Sequence, residues 1–344
     1  MAVKNKQASA LARLRNQARE EGINYQTCLQ LFVQEEFLRR LSHSKYRDNL
    51  ILKGGMFLYT LTNFDSRPTQ DIDFLMKRLS NDLANIKSVM QEICNVQTEN
   101  DFIELEVLGT EQITLWKKYP GVKTKLLGRM GNVRVPFSID IGIDDVIVPE
   151  PELRSIATRL DGFESPRIYT YSLESTVAEK FDAIIQRMET TSRMKDFYDI
   201  YYLAETFDFE GALLRKAIVE TMEHRGRTLE KGIFDRIEQY DQNSYLQIQW
   251  KAFDPVKETG LQFRKVLDVL IAFLRPVADS ITAAEEITAY WNCSAGKWVA
   301  MPDSTENIRK DSHLTDSLTG VLTGDDDPEE AKEDALKEKY GKMD

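Results

Sequence analysis

Histidine and cysteine are scarce. Three of each in 344 residues leave too few donors for a histidine-rich metal site or a zinc cluster. Cys28, Cys94 and Cys293 also lie too far apart to suggest a disulfide framework. No apolar run approaches the length of a membrane span. The opening "MAVKNKQASALARLRNQAREEG" lacks the apolar centre of a secretory signal and reads as an amphipathic helix. These absences point to the cytoplasm and away from a membrane. Hydrophobic residues make up 42% and charged residues 29% of the chain, the balance of a soluble globular protein. The length allows a sizeable core and more than one domain. The net charge of −11 is uneven: Asp303 to Asp344 carries 13 acids and 6 bases, whereas Met1 to Lys53 carries 5 acids and 10 bases. The overall acidity therefore does not exclude a nucleic-acid partner.

Apolar spacing organises the chain. Residues 7 to 48 read as helices, with Leu11, Leu14 and Ala18, then Leu29, Val33, Phe37 and Leu41, at helical intervals. "NLIL" is a short strand, "MFLYTLT" a helix opening at a Gly-Gly turn, and "DIDFLM" the next strand. "SNDLANIKSVMQEICNV" is a helix for which Ser80 is the expected cap. Extended stretches follow in "DFIELEVL", "EQITLW", "VKTKLL" and "NVRVPFSIDIGI". Beyond Pro149 and Pro151 the chain turns helical, most clearly in "SLESTVAEKFDAIIQRME" and "RMKDFYDIYYLAETF", and residues 210 to 285 form a helical module. The end, "GVLTGDDDPEEAKEDALKEKYGKMD", is poor in apolar groups and expected to be mobile.

Acids sit where strands are apolar. Asp71 and Asp73 share one face of a strand whose other face carries Ile72 and Phe74. Like charges side by side repel, and a divalent metal or a solvated edge would relieve them. Asp140, between Ile139 and Ile141, repeats the pattern. If the two strands are neighbours, three carboxylates converge, and such hard oxygen donors suit Mg²⁺. Two ions about 3.5–4 Å apart can activate an attacking hydroxyl and stabilise a leaving pyrophosphate. Gly54 and Gly55, at a helix start, offer backbone N–H groups to phosphate. Singly, a Gly-Gly pair is a turn, D-x-D a solvated strand end, and Asp140 a buried acid paired to a base. Together, in this order, they favour nucleotidyl transfer. The pattern resembles the DNA polymerase beta nucleotidyltransferase superfamily, whose core carries G-[GS], D-x-[DE] and a third acid on a later strand. The usual Ser is here Gly55.

The helix "ESTVAEKFDAIIQRME" has an apolar stripe with Lys180 and Arg187 at one edge. They either reach into a cleft or cover the core with their stems. In "RMKDFYDIYYLA", Arg193–Asp196 and Lys195–Asp199 have helical ion-pair spacing, the pattern of an exposed, paired turn. The ordered set "LKGG", "DIDF", "IDIG-x-DD", "EK-x6-R" and "R-x-KD-x-YD" resembles the AbiEii/AbiGii toxin family of nucleotidyltransferases, from about residue 8 to 205 and more loosely to 300. Asp144 stands where that family often has Gly, and the acidic tail is outside its pattern.

The resemblance implies an α+β fold: a polymerase-beta-like core with a mixed sheet and helices, plus a C-terminal helical domain. Residues 1–48 would be helices packed on the core and 49–170 the core with its acidic metal site. Residues 171–300 would be a mainly helical domain that completes the site, with 301–344 as an acidic tail. It implies a toxin of a type IV toxin–antitoxin system that uses a nucleoside triphosphate and Mg²⁺, two ions being expected. Some members add nucleotides to the 3′ end of tRNA, which stops charging and translation. Carried over, Gly54 and Gly55 hold phosphates, and Asp71 and Asp73 bind metal. Asp140 follows from the wider superfamily as a third metal acid. Lys180 and Arg187 contact the triphosphate. Asp196 and Asp199 match the last motif, whose acid is needed for activity; Arg193, Lys195 and Asp199 join the nucleotide-binding set. An RNA acceptor and a cognate antitoxin that need not touch the toxin are the implied partners. The competing readings are an enzyme that puts a nucleotide on a protein hydroxyl and an inert nucleotide-binding module. For RNA, the basic excess of residues 1–53 and "WKKYPGVKTKLLGRM" offer a groove.

Overall fold

The computed structural model describes residues 5–113 and 121–300, with the side chain of Glu258 left aside. The tail expectation for 301–344, and Trp116 to Pro120 of the basic stretch, lie outside the described residues. Residues 1–300 form one compact unit.

Two helices come first, α1 (Lys6–Glu20) and α2 (Tyr25–His43). Then follow β1 (Leu50–Lys53), α3 (Gly54–Leu61), β2 (Asp71–Met76), α4 (Leu83–Cys94), β3 (Glu104–Ile113), β4 (Gly121–Met130), β5 (Val133–Ile143), β6 (Glu152–Ser155) and β7 (Arg167–Thr170). The second half runs α5 (Leu173–Arg187), α6 (Met194–Thr206), β8 (Phe209–Glu210), α7 (Gly211–His224), α8 (Ile233–Ile237), α9 (Ser244–Ala252), α10 (Asp254–Thr259), α11 (Phe263–Ala283), β9 (Ala289–Asn292) and β10 (Lys297–Ala300). Among the described residues β1 to β7 form a mixed sheet in the order β3-β4-β5-β2-β1-β7-β6. This is the α+β architecture expected, a mixed sheet followed by a mostly helical half.

Alternation along the strands separates two faces. On β4, Val122, Thr124 and Leu126 are buried while Lys125 is exposed; on β5, Phe137, Ile139 and Ile141 are buried while Pro136 is exposed. The apolar face packs under α2. Phe37 meets Phe74 and Phe137 at ring separations of 6.2 and 6.5 Å, and Gly128 leaves room for Val33, whose methyl group a Cβ there would overlap. The spacing of Leu29, Val33, Phe37 and Leu41 marks this face, but α2 is buried nearly all round. Its other side is lined by an internal ion-pair network: Arg39 with Glu35 and Glu36 at 2.5 and 2.6 Å, and Arg40 with Glu36 at 3.0 Å. Pairing at i,i+3 and i,i+4 is what allows four charges to be buried there.

Local details differ from the sequence expectations. Asp82, not Ser80, caps α4: its carboxylate accepts from Ala84 and Asn85 N–H, while Ser80 Oγ accepts from Asp82 N–H. Ser and Asp cap about equally well, so the position of the backbone turn decides, and here it makes Asp82 the last extended residue before α4. The described residues of "DFIELEVL" and "EQITLW" join in one strand, β3 (Glu104–Ile113), because a bulge between Val107 and Gly109 absorbs the break in alternation; Thr114, Leu115 and Trp116 lie outside the described residues. The β8–β9–β10 sheet has no counterpart in the helical reading of this region.

Candidate active site

Strand register builds the site. Lys53 of β1 lies opposite Asp73 of β2, Asp73 opposite Asp140 of β5, and Asp140 opposite Lys123 of β4. Opposed residues share a face, so four strands carry the row Lys53, Asp73, Asp140, Lys123. Asp71 falls in the next row, opposite Ser138, whose hydroxyl donates to Asp71 Oδ1 at 2.8 Å. The expected adjacency of the "DID" and "SIDI" strands is therefore present. Ile72 and Phe74 are buried completely on the α2 side.

The three carboxylates lie along the sheet and do not close on one point. Among the described residues no three His, Cys, Asp or Glu side chains converge as a ready metal site. Lys123 Nζ stands 3.1 Å from Asp140 Oδ1 and forms an ion pair with it. Burial pushes the pKa of Asp140 up; Lys123 pulls it down and Asp71 pushes it up further. Asp73 is also raised, first by burial, with Lys53 and Lys195 opposing and Asp140 and Asp71 adding. Two acids held above their ordinary range on neighbouring strands form a donor set that fits a hard divalent cation.

Gly54 explains why the carboxylate and the helix start can meet. Its φ is +69°, and a Cβ there would overlap Asp73 Oδ2. Glycine alone satisfies both the left-handed backbone and the close approach. Among the described residues no side chain caps α3, so its first N–H groups remain available to an anion beside Asp73.

The second half of the site is an ion-paired cluster. Lys180 is buried, its Nζ 2.6 Å from Asp199 and 3.6 Å from Asp196. Arg67 grips Asp199 with two hydrogen bonds of 2.8 Å, and Arg193 pairs with Asp196 at 2.6 Å. Of the two pairs expected within α6, Arg193–Asp196 forms. Asp199 instead turns inward to Lys180 and Arg67, because burial favours cations that come with it out of water. Lys195 is left exposed. Surrounding protein, then Arg193, lowers its pKa, with Asp73 among the charges that oppose this. Arg187 is exposed at the end of α5, without a side-chain partner among the described residues. The structure thus gathers Lys180, Arg193, Asp196 and Asp199, and leaves Arg187 apart from them.

Sequence reading missed further members. Lys53 Nζ hydrogen-bonds Glu179 at 2.7 and 3.0 Å and lies 3.7 Å from Asp145. Arg225 pairs with Asp145 and Asp182, both at 2.7 Å. Burial works against the charge of Asp145, but Lys53 and Arg225 outweigh it and hold its pKa at about 2. The visible signals were Lys53 before the glycine pair, Arg67 upstream of D-x-D, and Glu179 before Lys180. Asp144 has φ +60°, a conformation glycine adopts freely and Asp tolerates.

Asp199 also sets a pH dependence. Burial alone would raise its pKa, but Lys180 and Arg67 outweigh burial and hold it at about 2 against an ordinary 3.8. A lowered folded-state value means the stabilisation is complete above the unfolded pKa and is lost as pH falls toward 2. The loss is about 2 kcal/mol. The stability gap between the parent and Asp199→Asn, read from denaturant melts, should therefore shrink from pH 5 to pH 2.5. A constant gap over that range would refute it.

A strand, a glycine turn into an uncapped helix, paired acids on the next strand and a cationic helical wall define a nucleotidyltransferase. The family profile described as "Nucleotidyl transferase AbiEii toxin, Type IV TA system" matches residues 36–269. The chain belongs to this family, and it is a nucleotidyltransferase toxin. Among solved structures it is similar to MenT4, a nucleotidyltransferase toxin from Mycobacterium tuberculosis H37Rv, with 16% identity and a TM-score of 0.47 over 82% of this chain and all of that one. It is also similar to two proteins from Helicobacter pylori, one with 12% identity and a TM-score of 0.45 over 77% of this chain and 100% of that one, the other JHP933 (13%, 0.45, 76% and 99%). No curated protein matches it. Among the described residues no helix is long and apolar enough to cross a membrane.

Proposed function

We propose that this toxin transfers a nucleotide from a nucleoside triphosphate to an RNA, the 3′ end of tRNA in the first instance, with Mg²⁺ and release of pyrophosphate. The reading rests on one observation: Asp73, aligned with Asp140, abuts the glycine start of an uncapped helix. That start seats the triphosphate on the N–H groups of Gly54 and Gly55. Asp71 and Asp73 are the residues that would hold the cation, with Asp140 as the neighbouring oxygen donor. Mg²⁺ there supplies charge neutralisation at the transferring phosphate and favours the deprotonated acceptor hydroxyl. Lys180, Arg187 and Lys195 neutralise the remaining triphosphate charge. Asp196 and Asp199 position Lys180, and Arg193 holds Asp196. In this reading residues 49–170 carry the acids and 171–300 the cationic wall, with 1–48 packed behind the sheet.

Support for an RNA acceptor lies on the open sheet face, where Lys125, Arg129 and Arg134 continue outward from Lys123. Lys125 and Arg129 are paired with exposed Glu111 and Glu106, and phosphates would compete for such surface cations. The proposed outcome in the cell is loss of tRNA charging, arrested translation and relief by a cognate antitoxin.

The test is incubation of the purified protein with each α-labelled nucleoside triphosphate, Mg²⁺, total RNA and total protein. Label in tRNA, abolished by EDTA and restored by Mg²⁺, is the expected result. Label in protein would replace the RNA acceptor with a Ser, Thr or Tyr hydroxyl. Triphosphate binding without transfer would leave a binding module.

A further inference from the structure

Gly54 faces Asp73, whereas Gly55 faces a hydroxyl. A Cβ built at Gly55 would stand 2.9 Å from Thr69 Oγ1 and 3.1 Å from Thr69 Cβ, with Arg67 Nη2 next at 3.7 Å. The loop before β2 thus fills the space that a side chain on the second residue of α3 would take. It fills it with a hydrogen-bond donor and, behind that, a guanidinium. Packing alone calls for neither, since an apolar group of the same size would serve equally well.

The hydroxyl is poorly used in the protein as it stands. Among the described residues Thr69 Oγ1 reaches only the backbone oxygen of Asp71, at 3.3 Å, long for an O–H donor. The residue is half-buried, so a ligand at the helix start has access to it. The surroundings favour an anion. The α3 N-terminus carries no side-chain cap and the positive end of the helix dipole. Arg67 is held in place by its two bonds to Asp199.

We infer that Thr69 is a triphosphate-binding residue, its Oγ donating to a phosphate oxygen seated on the Gly54 and Gly55 amides. This rests on the reading of the α3 start as the triphosphate seat. The two glycines then open on to complementary halves of one cradle, a carboxylate for the cation and a hydroxyl for the anion. The hydroxyl turns from the Asp71 carbonyl to the phosphate at no cost in lost protein contacts beyond one long hydrogen bond.

Calorimetric titration of each nucleoside triphosphate in Mg²⁺ into the full chain tests this, with Thr69→Val and Thr69→Ser beside the parent. Valine keeps the shape and removes the hydroxyl; serine keeps the hydroxyl and removes a methyl group. The expected result is about tenfold weaker triphosphate binding in Thr69→Val, the loss of one hydrogen bond to a charged group. Affinity within about twofold of the parent is expected in Thr69→Ser, and unchanged melting in both. Parent-like affinity in Thr69→Val would overturn the inference, as would an equal loss in Thr69→Ser, which would make the role one of packing. A parent protein that binds no triphosphate would instead overturn the reading of the α3 start on which the inference stands.

Discussion

Asp73→Asn is expected to lower nucleotidyl transfer by a hundredfold or more, the scale on which preorganised charge stabilisation acts. It should do so while melting at or above the temperature of the parent. Both halves come from the same geometry. Asp73 is half-buried, aligned with Asp140, and raised in pKa by burial with Asp140 and Asp71 adding. Its charge therefore costs stability in the free protein. Asn keeps the volume and removes both the cost and the cation ligand. Lys53 does not lose its compensation, because Glu179 and Asp145 already hold it. Transfer at the parent rate by a folded Asp73→Asn would remove Asp73 from the chemistry. A steep fall in melting temperature would show instead that its charge holds the fold.

The second large effect separates two cations that look equivalent in sequence. Lys180→Ala should cost about 3 kcal/mol of stability, in the range for breaking a buried ion pair. It leaves Asp199 to Arg67 alone and Asp196 to Arg193 alone. Arg187→Ala, at an exposed site, should change stability by less than about 0.5 kcal/mol. Both should weaken triphosphate binding, each by about 1.5–3 kcal/mol if it makes a charge-assisted hydrogen bond to phosphate. Denaturant melts and triphosphate titrations on the two variants check this. A Lys180→Ala protein as stable as the parent would show that the Lys180 pairs add nothing net. Unchanged affinity in Arg187→Ala would return that residue to a solvated helix end.

Much of the fold was legible because periodicity reports burial. Alternation in "DIDFLM" and "NVRVPFSIDIGI" predicts strands with acids on one face, and the register agrees residue by residue, with Ile72 beside Ile139 and Asp73 beside Asp140. Helical spacing marks α2, α5 and α6. The Gly-Gly turn announces a helix start, although its two reasons, positive φ and the approach of Asp73, are visible only in three dimensions. The Ser80 cap was misread because the choice between two nearby acceptors depends on where the backbone turns, and local composition does not encode that.

The candidate site divides along the same line. The sequence by itself determined which residue types were present for the chemistry: acids in apolar strands, glycines at a turn, cations on a helix. It also determined that Asp71 and Asp73 share a face, since a period of two leaves no alternative. Only the tertiary structure decided the partners. Lys180 goes to Asp199, Arg67 reaches Asp199 from 132 positions earlier, and Lys53 reaches Glu179 across 126 positions. Ion pairs between distant segments depend on which surfaces are dried together, and burial then forces each charge to find its nearest opposite. Spacing rules describe pairs within a helix, so they favoured Lys195–Asp199. Burial of Asp199 beside Lys180 and Arg67 overrode that preference, and it left Lys195 exposed and facing the acids.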